Sequence, residues 1–389
     1  MRRFSVSTKL VSFSVFFLLG GSTVDAAWAD DRRCFEIEHP TTIASDKRCV
    51  RVTEAVHGDV VNNATVGDGT RERPGFFIGG DGLITGKLIN NGTIKGGGDE
   101  WGAVTLGKYA DVRGGIFNNG TIVSGLGNAI QLGYREDDHW SYPQRAALTG
   151  DIVNAGLIDG RDNGVAALFG TMSGTLINQA NGTIKGGDIA VFIADSFTRW
   201  SGGIENYGLI EGAHGGVTID SAAFAGGLFN AATGSILASD GDAVFASGAW
   251  SSNFENRGNV KGAGRGFAYD GPSFDGDAVN SGDIFGGTTG VSLVAGHVGG
   301  GFTNSGSIEG KTARGVAIDV GSWGASETRA DIVNTASGEI VGGETGFWLR
   351  ALSVFGDFIN DGTISGGGSD TGIFFDVEDF FGDILNHGE

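Results

Sequence analysis

The chain predicts an all-β fold, a parallel β-helix in which short strands stack coil on coil. Three observations carry this: an Asn that recurs through most of the sequence, an apolar residue two places before every copy of it, and abundant Gly with almost no Pro. Of 389 residues, 73 are Gly and 4 are Pro. Interior Gly penalises helices, so a helical bundle is excluded. Few Pro leave the backbone N–H groups available for pairing. The Gly follow no three-residue period, which excludes collagen, and 40% apolar content argues against disorder. A formal net charge of −20 disfavours nucleic acid and anionic lipid as partners.

In chain order, residues 1–29 read as a secretory signal. Arg2, Arg3 and Lys9 form a basic start, Leu10 to Leu19 an apolar stretch, and Ala27-Trp28-Ala29 a small-x-small cleavage pattern. About ten apolar residues are too few to span a bilayer. The expected localisation is export through the inner membrane, to the cell surface, the outer membrane or the exterior. Residues 30–57 read as an N-terminal cap holding the only two cysteines, Cys34 and Cys49. In an oxidising compartment these pair as a disulfide worth ~3 kcal/mol. Their spacing is not C-x-x-C, and no Cys or His pair accompanies them, so no metal site is expected.

From residue 58 onward a repeat takes over. The Asn falls at Asn62, Asn90, Asn118, Asn154, Asn178, Asn206, Asn230, Asn256, Asn280, Asn304, Asn334, Asn360 and Asn386, with a minimum step of 24 residues. Gly stands four places before it in eleven of thirteen copies, and Gly with Ile or Val follows, as in Asn90-Asn91-Gly92-Thr93-Ile94. A further apolar-x-apolar run comes next, for example Val104/Leu106 or Val316/Ile318. Each unit therefore predicts three tiny strands separated by Gly corners. Such strands satisfy their backbone groups by pairing with the units above and below, at about 4.8 Å per coil. This gives some 12–13 coils of roughly 24–28 residues and a length of roughly 58 Å. The Asn shares parity with the inward apolar residue, so it points inward, where identical stacked amides pair as a ladder.

The motif G-x-ϕ-x-N-x-G-x-I-x-G followed by G-V-x-ϕ resembles the Gly/Asn-rich repeats of bacterial autotransporter passenger domains, particularly adhesin-like members. The resemblance spans about residues 58–389. It implies a right-handed β-helix, export, and display on the surface of a Gram-negative cell. The family also implies a C-terminal translocator barrel, which the repeat running to Asn386-His387-Gly388-Glu389 does not supply.

Catalytic and cofactor signatures are sparse. Gly306-Ser307-Ile308-Glu309-Gly310-Lys311-Thr312 misses phosphate-loop spacing by one residue, and neither a G-x-S-x-G elbow nor a calcium nonapeptide occurs. No cofactor is expected. The six His show no ligand spacing. For a glycan-active lyase or hydrolase the best carboxylate cluster is Glu136-Asp137-Asp138-His139, near Arg135 and Arg145; it also reads as a solvated charge run. Unit length varies mainly between the third strand and the next Gly corner, where Tyr134, Trp140, Tyr142, Trp200, Trp250 and Trp323 fall. These aromatics either form an edge that binds a surface protein or glycan of a host or neighbouring cell, or fold back over the coils. Asp220, Asp270, Asp319 and Asp376 follow the third strand in alternate units and read as solvated corners. The expected function is a non-catalytic passenger for adhesion or presentation of binding loops, with a glycan-active enzyme or an inert stalk as alternatives.

Overall fold

The computed structural model describes residues 34–69, 73–98, 101–134, 145–194, 199–220, 224–367 and 371–389, all within one compact unit, Arg33–Glu389. The signal segment and the Glu136–His139 cluster lie outside the described residues. The described chain is all-β, without a helix, and its strands pair in parallel as a solenoid of about 12 turns.

A coil begins with a three-residue run ending in the repeated Asn, such as Leu88–Asn90; thirteen of these, with Thr41–Ile43 at one end, form one fourteen-stranded sheet. A second run, such as Thr93–Gly96, builds a twelve-stranded sheet, and a third, such as Val104–Leu106, another sheet of fourteen. Pairing keeps identical positions in register: Ile116 faces Leu88 and Ile152, and Asn118 faces Asn90 and Asn154. Insertions between units therefore leave the stack undisturbed.

The structure adds a fourth run to the three expected. In the N-terminal half it is a separate short strand, from Ala55–Val56 to Arg199–Trp200, in a six-stranded sheet. From Arg265–Phe274 onward it fuses with the third run into strands of 9 to 11 residues, including Thr289–Val298, Arg314–Trp323, Thr345–Phe355 and Ile373–Phe381. Its inward residue stands six places before the repeated Asn and is apolar in twelve of thirteen units, from Val56 and Ile84 to Val354 and Phe380.

Solenoid pairing also starts earlier than the cap boundary at residue 57. Phe35 pairs with Val50, and Thr41–Ile43 pairs with Val60–Asn62, so the expected cap is already coil. Val50 and Val52 alternate inward as their later counterparts do. A Cys34–Cys49 disulfide closes this first coil, with the Cα atoms 4.7 Å apart.

One continuous apolar core fills the interior. The second run supplies a column from Val66 and Ile94 to Ile340 and Ile364, each at most 5% exposed. Full burial of one such side chain contributes roughly 1.5–3 kcal/mol. Corners between runs need Gly where backbone segments touch, between adjacent coils or across one corner. A Cβ on Gly226 would overlap the Gly202 carbonyl, and one on Gly310 would overlap that of Arg314.

Candidate functional site

The repeated Asn side chains from Asn62 to Asn360 are buried and, with the exposed Asn386 at the end, are joined into an uninterrupted chain of hydrogen bonds. Each Nδ2 donates to the Oδ1 of the Asn one coil later: Asn62 to Asn90 at 2.8 Å, Asn178 to Asn206 at 2.8 Å, and Asn360 to Asn386 at 2.7 Å. A second donation goes to a turn carbonyl, as from Asn206 to Gly208 at 3.1 Å. Burying an amide is costly unless it is paired, and here the pairing runs coil to coil. The twelve buried amides are thereby committed to holding register.

The aromatic residues expected at a binding edge are placed elsewhere. Trp200 and Trp323 are 0% exposed, Trp250 2% and Tyr134 5%. The three Trp occupy the inward position of the fourth run: Met172 pairs with Trp200, and Val298 with Trp323. Their indole N–H groups donate to corner carbonyls, Trp200 to Gly174 at 3.1 Å, Trp250 to Gly226 at 3.0 Å and Trp323 to Ala330 at 2.9 Å. Trp200, Phe224, Trp250 and Phe274 meet edge to face, with ring centroids 5.9, 5.8 and 5.4 Å apart in turn. With polar tips satisfied and rings enclosed, these Trp are core residues, which fits the fold-back alternative and not a binding edge. Tyr134 packs on Trp101 at 4.5 Å. Trp140 and Tyr142 lie outside the described residues.

The acidic corners do come together. Asp220, Asp270, Asp319 and Asp376 share one outward column of the third-run sheet, with Ser247, Val294 and Arg350 interleaved. Asp220 accepts from Ser247 Oγ at 2.7 Å. Asp319 holds Arg350 through two hydrogen bonds, Nε to Oδ1 at 2.8 Å and Nη2 to Oδ2. That pairing, and the charge of Asp319, push the Arg350 pKa further up.

Beside this column the long strands turn their corner and leave a groove of about 430 Å³. Its floor is Ala295, Val320 and Ala351, each nearly buried. Val294 (39% exposed) and Leu352 (59%) rise from it as apolar walls. Gly321 keeps it open, and Asp319, Arg350, Asp376 and Glu378 supply its charge. The third-run face beyond Arg350 carries Trp348, with the Arg350 guanidinium 5.5 Å and that of Arg314 4.4 Å from its ring. Repeat periodicity could not reveal this groove. It arises because outward residues change from small to large between neighbouring coils, from Gly296 and Gly321 to Leu352. Among the described residues no group of three His, Cys, Asp or Glu is placed to hold a metal ion.

No family model, curated protein or solved structure matches this chain.

Proposed function

We propose that the chain is an exported, non-catalytic β-helical passenger of autotransporter type, presenting a binding surface for adhesion at the cell exterior. The observation that carries the reading is the Cys34–Cys49 disulfide in the first coil, directly after a segment with the order of a secretory signal. Such bonds persist in oxidising compartments. A regular solenoid suits display, because its repeated residues are engaged internally and its outward columns are free to vary. The partner would be a protein or glycan on a host or neighbouring cell.

The test is protease shaving and surface labelling of intact cells producing the full chain, with a parallel cell-adhesion assay. Labelling at the surface and adhesion lost on shaving are expected. Retention of the protein in the cytoplasm with both cysteines reduced would overturn the reading.

A further inference from the structure

We infer that the groove at the strand corner is a docking site for a lysine side chain of a basic partner segment. The inference deepens the proposed adhesive role and rests on it only for its biological setting. Two properties of the groove specify the occupant. Its floor and walls, Ala295, Val320, Val294 and Leu352, are aliphatic and suit a long apolar stem. Its charge is one Arg against three carboxylates, and Arg350 is already engaged by Asp319. Asp376, whose charge also acts on Arg350, and Glu378 lie two positions apart on one strand and leave the groove net negative toward a cation.

A compact ammonium on a four-carbon stem matches both halves: methylenes lie along apolar surface while the charge stays at the wet, acidic rim. An anionic glycan would meet like charge, and a neutral one would leave the carboxylates unmatched. The chain as a whole, at −20, attracts a basic partner over a longer range.

The experiment uses the full chain and a fluorescent peptide of alternating Gly and Lys, read by anisotropy at two salt concentrations. A second peptide replaces each Lys by 2,4-diaminobutyric acid, which stays cationic at neutral pH and shortens the stem by two methylenes. The variant Asp376→Asn/Glu378→Gln removes the groove charge. A control, Glu309→Gln/Glu339→Gln, removes equal charge from the second-run sheet, where both residues are exposed. The groove variant is expected to weaken lysine-peptide binding roughly tenfold, and the control less than about twofold. Leu352→Ser should weaken the lysine peptide and leave the short-stem peptide unchanged. Equal losses in both charge variants, or equal affinity for the two peptides, would overturn the inference. Those outcomes leave surface labelling untouched, so the proposed export and display would be judged separately.

Discussion

At the residue scale, the inward Asn is the most consequential choice in the repeat. Within the ladder, Asn206 accepts from Asn178 and donates to Asn230, both at 2.8 Å. Asn206→Ala would leave a buried donor on one side and a buried acceptor on the other. A loss of about 3 kcal/mol is expected in urea unfolding, since each orphaned group costs roughly 1–3 kcal/mol. Asn386→Ala, in an exposed strand, should cost less than about 1 kcal/mol. Equal costs would mean that the ladder is ornamental. Tyr269 makes a second residue-level prediction. Its hydroxyl donates to the Gly248 carbonyl at 2.5 Å and also approaches that of Ser273. Burial is the leading cause pushing its pKa up to about 12, from 10.0. The unfolded chain then loses this proton first, so the stability contribution is full below pH 10 and falls as pH rises from 10 to 12. Urea midpoints at pH 9 and 11 should show a smaller decline in Tyr269→Phe than in the wild type.

At the element scale, the fourth run marks the boundary of what periodicity reveals. The Asn ladder, the Ile column and parallel stacking were legible because one residue type recurs at one offset. The fourth run was not, because its inward position accepts Val, Ile, Leu, Met, Phe or Trp, and length variation beside it made the Trp look like insertion residues. Its signal, an apolar residue six places before Asn, is visible only when the apolar class is aligned rather than a single letter. The groove was less legible still, since an outward cavity depends on contrasts between neighbouring coils and has no period. Two variants test the assignment of the fourth run. Trp250→Ala should destabilise by roughly 3–5 kcal/mol in urea unfolding, as large-to-small changes in a packed core do. Gly226→Ala, which forces a methyl onto the Gly202 carbonyl, should be destabilising although it adds only one carbon. A neutral Trp250→Ala would return that residue to the surface.

At the scale of the whole coiled unit, stability should be distributed rather than global. Each coil touches chiefly its neighbours, so openings spread from a weak point over short distances. Reduction of Cys34–Cys49 is therefore expected to cost about 3 kcal/mol locally. Hydrogen exchange should quicken in residues 35–62 and stay unchanged beyond the middle coils. A uniform loss of protection along the chain would contradict nearest-neighbour stability.

The head-to-tail sense of the amide chain has one more consequence. Every coil presents the same acceptor to the turn before it and the same donor to the turn after it, so each is an interchangeable module. Excising residues 207–230 would bring Asn206 against Asn256 with the hydrogen-bond order intact. Duplicating that stretch would lengthen the column just as cleanly. In-frame gain or loss of single turns thus offers an evolutionary route to changing reach without redesigning the interior.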